Sequence, residues 1–355
     1  MLSGSAHTRP PDPAVPATRR SIRGHHGRRT VGWFVCLLAV ALLALVSLGV
    51  GSRSIPLDTV WSVLTGRGSA AERAIIWQLR IPRTLLACVV GSALGVAGVV
   101  MQSVIRNPLA EPGLVGVNAG ASFAVVLAIS LFGVTETSGY IWFAFVGAIL
   151  SALAVYGLTS RSQFTGQHTR LVLAGAAMSA TLGALTGILT MFDTNAFDSY
   201  RFWVVGALEN RGTPALTVAV PFIAVGIGIA LPLGPAFNAL ALGDETGSAL
   251  GLRTGLVRAA AFTSIMLLCG AATAAAGPIA FVGLVVPHAL QLVLGPDIRW
   301  LLAYAVPAGA ALVLASDITG RVVARPGEIE AGIVTAFIGA PVLMWLVNKR
   351  KAVRL

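Results

Sequence analysis

Residues 78–120 read QLRIPRTLLACVVGSALGVAGVVMQSVIRNPLAEPGLVGVNAG. Two arginines, Arg80 and Arg83, precede a run from Thr84 to Ile105 that carries no charge. At about 1.5 Å per residue, a helix over that run crosses a hydrocarbon layer of roughly 30 Å. Gly91, Gly95 and Gly98 fall on or near one face of such a helix, and the first two have GxxxG spacing. Small residues at this spacing let a second backbone approach closely where lipid gives helices no hydrophobic reason to associate. The stretch is therefore a membrane span with a face made for packing, closed by a turn rich in Pro, Gly and Asn.

Composition agrees. With 56% hydrophobic and 11% charged residues and a mean hydropathy of +0.83, 355 residues do not make an ordinary soluble domain. An all-α, polytopic membrane protein is expected. Cys36, Cys88 and Cys269 all lie in apolar runs, which argues against a disulfide framework or a zinc site. The net charge of +11 is read as topology and contact with anionic lipid, not as nucleic-acid binding.

Residues 1–29 hold four prolines, six arginines and three histidines without apolar periodicity. They predict a disordered basic arm ahead of a permease domain at 30–355. Arg28 and Arg29 before an apolar run mimic a twin-arginine signal, but the run lacks a small-x-small cleavage site and further spans follow, so a retained helix is expected. Uncharged runs then occupy 30–52, 84–105, 112–135, 137–160, 171–192, 212–243, 259–296, 300–316 and 331–348. The seventh is too long for one crossing and breaks at Gly277–Pro278, which gives about ten spans. An even number puts both termini on one side, and basic ends place that side in the cytoplasm. The first external segment breaks the charge rule with Arg53, Arg67, Arg73, Arg80 and Arg83. For Arg80 and Arg83 a cationic dock for an acidic external partner is preferred over snorkelling.

None of the assigned runs contains an acid, which argues against coupling to an ion gradient. The only lysines are Lys349 and Lys351, so no Walker A loop exists, and neither HExxH nor GxSxG occurs. No catalytic residue, metal ligand or cofactor is assigned, and His168 and His288 stand alone. Energy then comes from another subunit, or from nowhere. The segment ALGDETGSALGLRTGLVR at 241–258 is the place to receive it: Asp244 and Glu245 suit the start of a short helix and Gly251 its end.

LRIPR at 79–83, RNPLAEPGLVG at 106–116, LVLAGAAMSA at 171–180, AGPIAFVGLVVPH at 276–288 and EIEAGIVTAFIGAPVLMWL at 328–346 resemble the motifs of the FecCD family of permeases. These are membrane subunits of ATP-driven importers for iron-siderophores, haem and cobalamin. The resemblance runs from about residue 33 to 350 and implies the type II ABC importer permease fold. It implies docking of a substrate-binding protein at Arg80, Arg83 and Arg321, and ATPase coupling through Leu242, Gly243, Asp244, Glu245, Leu250 and Gly251. It further implies a pathway past Gly113, Gly116, Asn118 and Gly120, and a cytoplasmic gate at His168 and Thr169. Where family members often carry Leu-Pro after the acid, this chain has Ile329, Glu330 and Ala331.

The function expected is translocation of an iron-siderophore or related metal chelate across the cytoplasmic membrane by alternating access. The permease would pair with itself or a paralogue, two ATPase subunits and an extracytoplasmic binding protein. A haem or cobalamin importer, an importer of bare metal ions, a non-transporting scaffold or sensor, and an intramembrane enzyme are the alternatives.

Overall fold

The computed structural model describes residues 22–51, 55–134, 136–160 and 167–352, with side chains described except at 22–26, 137, 160, 167–169 and 346–352. Its elements are helical: α1 (Ile22–Gly49), α2 (Leu57–Leu64), α3 (Ala70–Ile105), α4 (Val117–Phe132), α5 (Thr137–Ser160), α6 (Gln167–Phe192) and α7 (Thr194–Val204). There follow α8 (Gly212–Leu240), α9 (Asp244–Ala249), α10 (Thr254–Ala276), α11 (Val282–Leu294), α12 (Ile298–Val323) and α13 (Ala331–Ala352). Among the described residues seven helices are long and apolar enough to cross a membrane, and the shorter apolar helices α4, α11 and α13 bring the number to ten.

The opening stretch forms the middle of the bundle. In α3, 78% of the apolar window is buried, against 11% in α1. Helices α8, α10, α11 and α12 pack around α3, α4 to α6 form a second group, and α1 leans on α12. The glycine face sets the spacing. A Cβ on Gly91 would stand 2.3 Å from the Gly309 carbonyl oxygen, one on Gly309 would stand 2.1 Å from that of Gly91, and one on Gly98 would stand 2.1 Å from that of Gly283. Backbone therefore meets backbone where α3 crosses α12 and α11, without side chains between. Gly98→Val is expected to cost about 1–3 kcal/mol or more through overpacking. Thermal unfolding in lipid nanodiscs checks this, with an unchanged midpoint as the contrary result.

Three boundaries differ from the sequence reading. The second span begins at Ala70 and not near Thr84, because a wide π-type turn at Ile75–Arg80 takes up the strain that Pro82 puts on a helix interior. The first helix reaches back to Ile22, which moves the edge drawn at residue 29: adding a residue to an existing helix needs no new nucleus. Arg29 is anchored there, with Nη2 donating to the Leu294 carbonyl at 3.2 Å, a 3.6 Å ion pair to Asp297, and its own carbonyl accepting from the Tyr304 hydroxyl. Residues 1–21 of the expected arm lie outside the described residues. Finally, α12 continues past residue 316 to Val323 and carries Asp317 and Arg321 inside a spanning helix. The acid-free reading of the spans is thereby corrected. Hydropathy stopped at Asp317, whereas its helix does not stop, because the charge is paired.

The break at Gly277–Pro278 forms as expected, separating α10 from α11. The run at 112–135 divides into a turn of 3-10 helix at Pro112–Val115 and α4, hinged at Gly116 with φ +79°.

Candidate functional site

At the end of the bundle where α3 begins, the three arginines singled out in the sequence come together. Arg83 Nε and Nη2 donate to Asp317 Oδ1 at 3.0 and 2.8 Å, and Nη1 donates to Glu328 Oε2 at 2.6 Å. Arg321 Nη2 donates to Asp317 Oδ2 and to Ser47 Oγ, both at 2.6 Å. Its Nη1 donates to the carbonyls of Ser47 and Val50 at 2.9 and 2.7 Å. Arg80 Nη1 donates to the Leu48 carbonyl. Arg321 is 2% exposed and Asp317 1%, so the pair sits in a low-dielectric setting where each charge depends on its partners. One side of the cluster opens to a pocket of about 410 Å³ lined by Arg80, Arg83, Arg321, Glu328 and, on other walls, Gln78 and Glu209. Asp317 and Glu328 were not singled out from the sequence. The first stands four residues before Arg321, but a partner 234 residues away leaves no local signal.

A second pocket of about 240 Å³ borders the same Glu209–Asn210 segment and is lined by Tyr140, Trp203, Arg211 and Glu330. Burial and the neighbouring Glu209 charge push the Glu330 carboxyl above its ordinary range. Arg325 is exposed.

At the opposite end, α9 forms as the short helix expected from Asp244 and Glu245. It follows Gly243, at φ +120°, and is closed by Leu250 and by Gly251 at φ +83°. The Asp244 carboxylate is gripped on both sides, by Arg106 at the end of α3 and by Arg258 Nη2 at 2.7 Å from α10. Glu245, Leu242, Leu250 and Leu256 are exposed beside it. The α9 segment is thus tied to two spanning helices while presenting an apolar and acidic outer face.

The RNPLAEPGLVG motif packs onto the AGPIAFVG motif. Glu111 Oε1 accepts from the Phe281 N–H at 3.0 Å, at the start of α11 where Phe281 has φ +68°, and burial pushes the Glu111 carboxyl up. Gly116 lends its carbonyl to Ser151 Oγ at 2.9 Å, and Asn118 Oδ1 accepts from Thr273 Oγ1 at 3.0 Å. Gly113 is half-buried next to Asn118, and Gly120 lies against Gly147 of α5, where a Cβ would come within 2.3 Å of the carbonyl oxygen. Of the residues assigned to a pathway, Gly120 is thus inside a helix crossing, while Gly113 and Asn118 are only partly covered. His168 and Thr169 start α6, and their side chains lie outside the described residues. His288 is buried, its Nδ1 donating to the Leu284 carbonyl at 3.2 Å. Among the described residues no group of three His, Cys, Asp or Glu is placed to hold a metal ion.

The bundle, matched by a solved ABC transporter and by curated permease subunits, is that of an ABC importer permease, whose ATPase is a separate subunit. The chain belongs to the FecCD transport family, whose sequence profile matches residues 37–349. It is 41% identical over 314 residues to the ferric enterobactin transport system permease protein FepD of Escherichia coli, covering 88% of this chain and 94% of that protein. The hemin transport system permease protein HmuU of Yersinia pestis is 35% identical over 332 residues, covering 92% and 97%. A solved structure described as an inward-facing metal-chelate type ABC transporter superposes with a TM-score of 0.79 at 29% identity, covering 89% of this chain and 98% of that one.

Proposed function

We propose that this permease carries a ferric siderophore into the cytoplasm, with the cluster of Arg80, Arg83 and Arg321 facing outward and α9 facing the cytoplasm. Both termini are then cytoplasmic. The observation that carries the reading is the projecting α9, with Leu242, Leu250 and Glu245 uncovered and Asp244 anchored to α3 and α10. Apolar side chains left in water are unfavourable, so such a surface calls for a partner, and an ATPase subunit is the partner a chain lacking Walker A requires. ATP binding in two such subunits would draw α9 with them and move the helices to which Asp244 is tied, opening one end of the conduit as the other shuts.

A second permease copy or a paralogue completes the conduit. Helix α6 supports this: only 17% of its apolar window is buried, and it carries an exposed Thr181 together with Gly183 and Gly187, where an added Cβ would meet nothing within 4 Å. A small, hydroxyl-bearing face suits a second backbone or a bulky passing solute better than lipid tails. Gly113 and Asn118 would flank that route, with Gly116 and Gly120 packed behind them, and His168 and Thr169 would stand at its cytoplasmic mouth. The binding protein would meet the outer cluster through carboxylates, as a cationic pocket asks.

Uptake of labelled ferric siderophore, haem and cobalamin by cells lacking the protein, or carrying Arg80→Glu with Arg83→Glu, tests the cargo and the dock together. Siderophore iron alone is expected to stop entering in both strains. Loss of haem or cobalamin uptake instead would reassign the cargo, and normal entry of all three, redundancy excluded, would remove the importer reading.

A further inference from the structure

Two arginines of the outer cluster, Arg83 and Arg321, are already engaged by acids of this chain, and the two acids are held differently. Asp317 sits within α12, is 1% exposed, and accepts from Arg83 twice and from Arg321 once. Glu328 lies in the 324–330 connection between α12 and α13, has a side chain 14% exposed, and makes one ion pair, to Arg83 Nη1. Two guanidinium groups, those of Arg83 and Arg321, thus share two carboxylates, while Arg80 beside them donates to the Leu48 carbonyl. Glu209 lines the same pocket, yet among the described residues it makes no ion pair with them.

We infer that Glu328 is a resident substitute for a partner's carboxylate: it occupies Arg83 while the outer face is free and gives way when an acidic group enters the pocket. This rests on the docking reading of the cluster. Exchange of one carboxylate for another on the same guanidinium conserves the charge-assisted hydrogen bond, so a small differential affinity suffices to shift the population. Asp317 cannot exchange in this way, because its departure would leave the buried Arg321 without the ion pair it makes among the described residues.

The consequence is local. Released from Arg83, the connection keeps among the described residues the backbone tie of Ile329 N–H to the Gly320 carbonyl at 3.2 Å, and the first turn of α13 keeps that of Gly332 N–H to the Gly206 carbonyl at 2.9 Å. Docking would therefore loosen the joint between α12 and α13, and arrival of the binding protein would be felt inside the permease before any cargo is released. Glu328 also sets a threshold: a partner has to outcompete an acid that is always present, which discriminates against weakly acidic surfaces.

The test uses the assembled importer in lipid nanodiscs at low ionic strength, with a hexaglutamate peptide as the acidic probe and amide hydrogen exchange at Ile329 and Gly332 as the readout. In the native chain the peptide is expected to bind and to speed exchange at Ile329 severalfold. Glu328→Gln is expected to exchange fast without peptide and to bind it severalfold more tightly, whereas Asp58→Asn, an exposed acid on α2, should change neither. Arg83→Gln, or Arg80→Gln where the first fails to fold, should abolish binding. Arginine-dependent binding that leaves Ile329 exchange unchanged overturns the exchange of Glu328 and spares the dock. Absence of arginine-dependent binding removes the dock and this inference with it.

Discussion

Asp317→Ala is expected to lower the unfolding free energy by about 3–5 kcal/mol, the cost of leaving a buried charge without its partner. The size follows from burial: Arg321 is 2% exposed and loses the one ion pair it makes among the described residues, while Arg83 falls back on Glu328 alone. Glu328→Ala should cost much less, within about 1 kcal/mol, because its side chain reaches water and Arg83 keeps Asp317. Combining Asp317→Ala with Arg321→Met should recover part of the loss, since removal of a whole buried pair is often close to neutral. Denaturant unfolding in mixed micelles gives all three values. A loss for Asp317→Ala no larger than for Glu328→Ala would mean that water screens the cluster and that it does not hold α1, α3 and α12 together.

The second large effect concerns transport. Asp244→Ala is expected to reduce uptake by roughly tenfold or more, the loss of about 1.4 kcal/mol or more of coupling, while ATP hydrolysis by the assembled complex persists. The carboxylate joins α9 to Arg106 and Arg258, so its removal would leave the short helix on the proposed ATPase subunit but no longer attached to α3 and α10. Arg106→Ala should act in the same direction and, combined with Asp244→Ala, should add little, because both cut the same tie. Uptake and phosphate release measured on one proteoliposome preparation decide the matter. If hydrolysis and uptake fall in proportion, α9 is needed for assembly and not for transmission. Normal uptake by a fully assembled complex would mean that coupling does not run through the tie of Asp244 to Arg106 and Arg258.

Much of the architecture could be read from the chain because it is written in local terms. An uncharged run, a GxxxG face and a Gly-Pro break each carry their meaning within a few residues, and α3, its crossing with α12 and the α10–α11 break appear where those signals stand. The short helix at Asp244 was legible for the same reason, through acids at one end and glycine at the other. What stayed hidden depends on pairing across the fold. Asp317 ended a hydropathy run although its helix does not end there, since its charge is answered by Arg83 in a helix far away in sequence. The uncharged run placed a span start near Thr84, and a wide turn just before Pro82 lets α3 begin at Ala70. Glu111 sat in a quoted motif with no assigned role because its acceptor duty, capping Phe281, belongs to another motif 170 residues on.

The contacts of Gly91 with Gly309 and of Gly98 with Gly283 bear on how force would travel through the molecule. A crossing without side chains has no rotamers to rearrange, so it cannot yield by repacking as an ordinary core does. In the proposed cycle α3, α11 and α12 would then behave as a single stiff beam, with Arg106 just past the cytoplasmic end of α3 and Arg83 along it in the outer cluster. A pull on Asp244 at the cytoplasmic tip would reach the outer cluster undiminished, as lever motion, and the yielding parts would have to be sought in the loosely packed α6 and in the joint between α12 and α13.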